Sequence, residues 1–285
     1  MNPWQFAHLT KSDGLASDIV VDMVQDSAGF WWLATKSGLQ RFDGKHFTTF
    51  THNPDDPGSL PADFVNALWI DERQRLWVAT SLGVCRYDPA SGNFISVSGD
   101  TGRLWTFYPS LFFSDSTGGF WLATTTPGGL YRFAPTEAVW KRVAGMTNTA
   151  IIAYIVAEPV SGNFWFTYRH GLGLLERATG KVWLSGENPE KHPLLSQITH
   201  PTSIYLDSQK KLWIAHRPSG SNVFQLITYN TQTGAVARVN HSFQSARIVF
   251  REDARGRLWF FSDDCAEFGY FDLQNGDKHL FKYVP

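Results

Sequence analysis

One short pattern recurs six times along this chain of 285 residues. Each copy has a turn rich in Asp, Gly and Ser, followed by a short apolar run with a tryptophan, as in DSAGFWWLAT and DERQRLWVAT. The recurring tryptophans are Trp32, Trp77, Trp121, Trp165, Trp213 and Trp259. They lie about 45 residues apart, which is the length of one supersecondary unit in a repeat protein.

A carboxylate precedes each recurring tryptophan. In five copies it is an aspartate six residues ahead, and these residues are Asp26, Asp71, Asp115, Asp207 and Asp253. The fourth copy departs from the pattern, because Glu158 lies seven residues ahead of Trp165. Asp side chains accept hydrogen bonds from backbone N–H groups in turns, so we expect these residues to tighten the turn before the tryptophan.

Each repeat reads as four short strands. In the second repeat these are FVNALWID, LWVAT, GVCRYD and FISV, separated by turn residues, and no helix of any length is predicted along the chain. Four strands in every repeat of about 45 residues predict an all-β fold, namely a β-propeller of four-stranded blades. We expect this propeller to occupy residues 1–285 as a single domain. Stacked blades bury their faces, and the tryptophans are expected to fill the space between adjacent blades.

The number of blades is left open by the sequence. Six repeats are complete through a fourth strand, and the N-terminal WQFAHL resembles a seventh fourth strand. A seven-bladed ring that begins with its outer strand and lacks three strands beyond Pro285 explains this extra strand directly. In the alternative, six blades close and WQFAHL adds to, or replaces, the edge of the last blade.

Charge and cysteine content exclude several classes of protein. The net charge is −1, with 25 basic and 26 acidic residues, which argues against a nucleic-acid or anionic-membrane partner. Cys85 and Cys265 form no disulfide framework or metal cluster and are expected to be small buried residues. No apolar stretch is long enough to span a membrane, and no signal peptide is visible, so the chain is interpreted as a mature or excised segment.

The opening of the chain resembles the propeller repeats of two-component regulators. DGLASDIV, GFWWLATKSGLQRFDG and THNPDDPGSLPADFV each match that pattern; the resemblance is strong over residues 5–90 and extends to residue 133. It implies a periplasmic sensor region of a hybrid histidine kinase or related bacterial receptor, including those with diguanylate cyclase output. It further implies an inner-membrane anchor, a dimeric parent protein and an output domain beyond the present C-terminus. No ligand-binding residue is transferred from the family.

Recognition is expected on one face of the propeller. The loops that lead into the first strands and those that join second to third strands meet there, around the central channel. Residues that differ among repeats are the ones free to bind a ligand, since the repeated ones build the scaffold. The candidates are Asp18, Asp63, Trp105, Tyr108, Tyr168, Arg169, His170, His200, Arg217 and Arg247, with His216, Asp263 and Asp264 nearby.

Aromatic rings beside mixed polar groups suit a small polar ligand such as a sugar, and a partner protein is the alternative. No cofactor is implied, since the sequence has no HExxH, CxxC, calcium loop, phosphate loop or GxSxG. A non-enzymatic module is therefore predicted. If the chain were a glycoside hydrolase or lyase, the best candidates for its two catalytic carboxylates would be Asp18 and Asp63. Asn240-His241-Ser242 matches a glycosylation sequon, a short and common pattern.

Overall fold

The computed structural model describes residues 9–99, 109–115, 119–125, 128–136, 138–146, 151–187, 192–244, 248–262 and 267–281. These residues form six four-stranded antiparallel sheets, in which each strand pairs with its neighbour in sequence. The predicted all-β fold of four-stranded blades is therefore confirmed. The chain divides into two compact units, Met1–Val143 and Ala144–Pro285, and the single domain over residues 1–285 stays a prediction.

The first unit contains blades 1 to 3. Blade 1 is β1 (Val20–Gln25), β2 (Trp31–Thr35), β3 (Gly38–Phe42) and β4 (Phe47–Phe50). Blade 2 is β5 (Val65–Ile70), β6 (Leu76–Thr80), β7 (Gly83–Asp88) and β8 (Asn93–Val97). Blade 3 is β9 (Pro109–Ser114), β10 (Phe120–Thr125), β11 (Gly128–Ala134) and β12 (Val139–Arg142).

The second unit contains blades 4 to 6. Blade 4 is β13 (Ile152–Ala157), β14 (Phe164–Tyr168), β15 (Gly171–Leu175) and β16 (Val182–Leu184). Blade 5 is β17 (Pro201–Leu206), β18 (Lys211–His216), β19 (Phe224–Asn230) and β20 (Val236–Phe243). Blade 6 is β21 (Ile248–Glu252), β22 (Arg257–Ser262), β23 (Phe268–Asp272) and β24 (Lys278–Phe281).

The prediction that the chain has no helix is wrong. A short helix, α1 (Pro193–Gln197), precedes blade 5, and a single 3-10 turn lies at Lys11–Asp13. Proline stands in the first turn of α1, and the His192 ring nitrogen accepts a hydrogen bond from the Leu194 N–H. Leu194 and Leu195 are buried in the core of the second unit. Burial of these two leucines offsets the cost of nucleating so short a helix. Because that burial is a tertiary contact, the local sequence does not predict the helix.

The recurring tryptophans pack one blade against the next within each unit. The Trp77 ring of blade 2 lies 5.0 Å from Phe120 and 4.9 Å from Phe133, both in blade 3. In the second unit, the Trp165 ring of blade 4 lies 5.5 Å from Tyr229 of blade 5. This confirms, at these blade pairs, that the tryptophan of the second strand fills the space between blades.

The recurring carboxylate of each repeat accepts hydrogen bonds from both its turn and its tryptophan. In blade 1, one oxygen of Asp26 accepts the N–H groups of Ala28 and Phe30, which confirms the predicted turn. The other oxygen accepts the Trp32 indole N–H at 2.8 Å, a contact that the sequence analysis did not anticipate. The same carboxylate–indole bond recurs in the other blades at 2.5–2.9 Å. It satisfies the one polar atom of a buried indole.

Blade 4 keeps this bond although its spacing differs. The turn before Trp165 is one residue longer than in blade 1, since Glu158 N bonds Asn163 O whereas Asp26 N bonds Phe30 O. The extra methylene of Glu158 spans the added residue, and its Oε1 accepts the Trp165 indole N–H at 2.5 Å. Glu158 therefore replaces the aspartate of the other repeats with its function intact.

Shortening this side chain is expected to break the bond. Glu158→Asp leaves the charge in place but withdraws the carboxylate from Trp165, which is 1% exposed. An unsatisfied buried N–H costs about 1–3 kcal/mol, and we expect that loss in the free energy of unfolding measured with urea. Deleting Ser161 in the Glu158→Asp variant shortens the turn to the length found in blade 1. We expect this deletion to restore part of the lost stability. A fully stable Glu158→Asp variant would contradict this interpretation.

Blades 1 and 6 each carry an exposed apolar face. On blade 1 the exposed side chains include Val21, Met23 and Trp31. On blade 6 the Phe281 ring stacks at 5.8 Å on the half-buried Trp259. Sheets with such faces are normally covered by another layer. The predicted strand WQFAHL lies largely outside the described residues, so the seven-bladed ring stays a prediction.

Candidate functional site

The two candidate carboxylates of the first unit have structural contacts. Asp18 and Asp63 each lie two residues before the first strand of their blade, as predicted. Asp18 is exposed and forms an ion pair of 3.6 Å with Lys11. Asp63 accepts the His52 N–H at 2.7 Å, and its backbone oxygen accepts the Gly38 N–H. Asp63 thus fixes the loop into blade 2.

The candidates of blade 4 lie together at the turn between β14 and β15. Tyr168 is buried at the end of β14, and burial raises the pKa of its phenol. Arg169 and His170 are exposed in the two-residue turn, and the His170 ring meets Tyr168 edge-on at 6.4 Å. This turn presents a cation and an imidazole to solvent above a buried tyrosine.

The candidates of blade 5 gather where β17 begins and β18 ends. The His200 backbone oxygen accepts the Arg217 N–H at 3.2 Å, and the Thr199 hydroxyl donates to the Arg217 carbonyl at 3.0 Å. The Arg217 guanidinium lies 5.9 Å from the centre of the Phe224 ring. His216, between them, is buried, and neither of its ring nitrogens makes a hydrogen bond of ordinary length to a described residue. Burial, helped by the charge of Arg238, lowers the pKa of its imidazole.

Three of the candidates, Trp105, Tyr108 and Arg247, lie outside the described residues, as do Asp263 and Asp264. Their role in ligand binding stays a prediction.

Blades 4 and 5 differ from the other blades at one position, three residues after the recurring tryptophan. Four blades carry a hydroxyl there that donates to a backbone oxygen across the turn, and these residues are Thr35, Thr80, Thr124 and Ser262. Tyr168 and His216 replace it in blades 4 and 5. Because of these two replacements, the described turns between the second and third strands of blades 4 and 5 lack the hydroxyl-to-backbone hydrogen bond that the other four blades share.

Blade 5 also contains a cavity that the sequence analysis missed. It has a volume of about 560 Å³, and its polar lining residues are Gln225, Arg238, Asn240, His241 and Ser242. It lies beside a bulge in β20, because Gln225 pairs with Ser242 while Leu226 pairs with Val239. The HRPSGSN segment, which replaces the short turn of other repeats, marks blade 5 as different but does not line the cavity. The bulge itself follows from tertiary packing and leaves no local pattern.

His241 is drawn into the core by this bulge. Its ring packs edge-on against Phe243 at 4.4 Å, while Lys278 Nζ lies 3.4 Å from Nδ1 and Glu267 Oε2 lies 3.9 Å from Nε2. Burial, and secondly the charge of Lys278, lowers the pKa of His241 to about 4. The imidazole is therefore neutral at pH 7.

The buried histidine makes stability depend on pH. The folded pKa lies below the usual 6.5, so the unfolded chain takes up the proton first as the pH falls. Stability that is present above pH 6.5 is therefore lost progressively down to about pH 4. Lys278 opposes protonation, Glu267 favours it, and Arg238 adds positive charge on the same strand.

We expect wild type to lose about 1 kcal/mol more than His241→Gln between pH 7 and pH 5, in urea denaturation of the second unit. His279→Gln, at an exposed position on β24, is the control for replacing a histidine by glutamine in the same unit. An unchanged pH profile in His241→Gln would contradict the assignment.

A second cavity, of about 440 Å³, lies in the first unit between the turn at residues 71–75 and the side chains of Phe120 and Arg132. Its turn is the repeated one: Asp71 binds the Trp77 indole and the Arg75 guanidinium. The same arrangement recurs in blade 6 with Asp253 and Arg257, where the hydrogen bond from Arg257 lowers the pKa of the Asp253 carboxyl. A repeated turn of this kind is scaffold.

The described residues show neither a metal site nor a membrane-spanning helix. They contain no group of three or more His, Cys, Asp or Glu side chains placed to hold a metal ion. They also contain no helix that is long and apolar enough to cross a membrane. Cys85 is buried, as predicted, and burial raises the pKa of its thiol.

These sheets define a protein of the β-propeller class, and comparison with known proteins agrees. The extracellular domain of the hybrid two-component system BT3049 from B. thetaiotaomicron superposes with a TM-score of 0.70 at 19% identity, over 99% of this chain and 37% of that one. A virginiamycin B lyase from Staphylococcus aureus superposes with a TM-score of 0.60 at 13% identity, over 91% of this chain and 83% of the lyase. At these identities both show a shared fold.

One curated protein is related in sequence over a short segment. Histidine kinase P4 of Formosa agariphila is 40% identical over 55 residues, which are 19% of this chain and 4% of the kinase. No protein-family model matches the chain. The chain thus spans far less than two thirds of the kinase and of the BT3049 domain. The match to the histidine kinase confirms the resemblance to two-component regulators that the sequence predicted, and the BT3049 domain shares the fold.

Proposed function

We propose that this chain is the extracytoplasmic sensor module of a bacterial signal-transduction receptor of the hybrid histidine kinase or diguanylate cyclase type. In this proposal the parent protein is a dimer anchored in the inner membrane, and the module faces the periplasm. The module catalyses no reaction. It binds a small polar ligand, such as a sugar, and the difference in affinity between two arrangements of the receptor biases the output.

The fold shared with the extracellular domain of a hybrid two-component system, over 99% of this chain, carries the proposal. The local departures of blades 4 and 5 support a ligand site in the second unit. There Arg169, His170 and Arg217 are exposed on turns, and none of them builds the repeat. A rigid scaffold with variable polar turns is the usual basis of a binding face.

A thermal-shift screen against sugars and amino acids tests the proposal. A ligand that binds only the folded state adds about 2.7 kcal/mol of stability at one hundred times its Kd, which raises the melting temperature. We expect a compound that stabilises the wild type, and a smaller shift in Arg169→Ala or Arg217→Ala. Arg255→Ala, in the exposed turn before β22, is the control. A complete panel without a stabilising compound would contradict small-ligand sensing.

A protein-interaction scaffold is the second candidate, favoured by the exposed apolar faces of blades 1 and 6. It predicts that Trp105→Ala and Arg169→Ala leave every ligand response intact, whereas the sensor proposal predicts weaker responses. A propeller hydrolase or lyase is not proposed: the best carboxylate pair includes Asp63, which is engaged by the His52 backbone.

A further inference from the structure

Three features of blade 5 meet at one end of the sheet. Its connection from β18 to β19 runs over residues 217–223, whereas the corresponding turn has two residues in blades 1, 2 and 4. Its fourth strand, β20, has eight residues, and the other fourth strands have three to five. His216 pairs with Gln225, and Gln225 pairs with Ser242. The cavity lined by Gln225 and Ser242, here called the blade-5 trough, therefore lies beside the predicted site residues His200 and Arg217.

The bulge gives the trough its polar lining. Asn240 and His241 have no partner in the ladder between β19 and β20, because the pairing passes from Val239 directly to Ser242. A bulge re-aims the side chains that it contains. Here Asn240 is exposed, while His241 closes the side toward the core. The volume of about 560 Å³ lies within the usual range for small-molecule sites.

The charge of the trough is positive. Among the residues that the structure describes, Arg238 is the one charged residue that lines the trough, and no carboxylate does. The Arg238 side chain is exposed and makes no hydrogen bond or ion pair with a described residue. Behind His241, the opposite charges of Lys278 and Glu267 offset each other. An unpaired guanidinium beside amide and hydroxyl groups is suited to an oxyanion with neighbouring hydroxyls.

We propose that the blade-5 trough binds a small hydroxylated organic anion, with Arg238 holding the oxyanion and Gln225, Asn240 and Ser242 binding the hydroxyls. This inference rests on the proposed sensor function and assigns its ligand class. The oxyanion is a carboxylate or a phosphate ester, and these two are distinguished by the test.

Isothermal titration calorimetry tests the inference by measuring the Kd of the 285-residue chain for D-glucose, D-glucuronate and D-glucose 6-phosphate. The three probes share a ring and differ at one carbon. We expect glucuronate or glucose 6-phosphate to bind at least about tenfold more tightly than glucose, because a charge-assisted hydrogen bond is added. The tighter of the two anions identifies the oxyanion.

Arg238→Gln is expected to weaken binding of the anion by about tenfold to a hundredfold and to leave glucose unchanged. Arg238 is exposed, so the variant folds, and an unchanged melting temperature confirms this. Arg255→Gln is the matched control and keeps wild-type affinity. Binding of the anion that survives Arg238→Gln, equal binding of glucose and both anions, or no binding of any probe at millimolar concentration overturns the inference. A different compound that still stabilises the wild type in the wider screen would leave the sensor proposal standing.

Discussion

Trp77→Ala is expected to destabilise the first unit by about 3–5 kcal/mol, the usual cost of removing a large buried aromatic ring. The Trp77 side chain is 1% exposed and contacts Phe120, Phe133 and Trp140 of the next blade. The indole N–H of Trp77 also donates a hydrogen bond to the Asp71 carboxylate at 2.9 Å, so truncation removes one of the hydrogen-bond donors of that carboxylate. Urea denaturation followed by far-UV circular dichroism measures the loss without relying on tryptophan fluorescence.

Trp31→Ala provides the control. Trp31 lies on β2 of the same unit, is 36% exposed and belongs to the uncovered face of blade 1. Its removal is expected to cost about 1 kcal/mol or less. If both variants lost the same stability, the repeated tryptophan would not be the residue that joins neighbouring blades.

Gly269→Ala is expected to cost up to about 3 kcal/mol in the second unit, because the added methyl group overpacks the sheet. A Cβ on Gly269 would collide with the His279 backbone oxygen of β24 and lie 3.0 Å from the Phe260 ring. Since the first obstacle is backbone, β24 itself must move. The same denaturation experiment measures the effect.

Gly186→Ala is the matched substitution for this prediction. A Cβ on Gly186 meets nothing within 4 Å, and the residue is exposed in the same unit. We expect a change within about 0.5 kcal/mol. Equal effects at the two glycines would show that lost backbone flexibility of glycine, and not overpacking at β24, explains the result.

Much of the fold follows from the sequence because the repeat carries several consistent signals. Trp32 and Trp77 mark second strands, Asp26 and Asp71 mark the turns before them, and the turn residues separate strands of the correct length. The carboxylate–indole bond was not predicted, because a spacing of six residues between the aspartate and the tryptophan does not show that the turn brings the two side chains together. The helix at Pro193–Gln197 was missed because burial of its leucines stabilises it.

The candidate site was predicted less completely than the fold. Arg217 and His200 were predicted because they depart from the repeat; the structure places them at one end of blade 5, and their role in binding stays a prediction. The trough residues Arg238 and Asn240 were not among the predicted residues, since they lie in a fourth strand that looks ordinary in sequence. Only the pairing of Gln225 with Ser242 shows that the strand bulges and opens a cavity. A register shift is a property of two strands and has no signature in either one.

The ligand site proposed in blades 4 and 5 is tested most directly by hydrogen–deuterium exchange of the 285-residue chain, with and without the strongest ligand from the thermal-shift panel. We expect slower exchange at the turn of residues 169–170 and in residues 216–225 and 236–243, where blades 4 and 5 depart from the repeat. Protection confined to the repeated turn at residues 71–75, with none in blades 4 and 5, would contradict the proposed site.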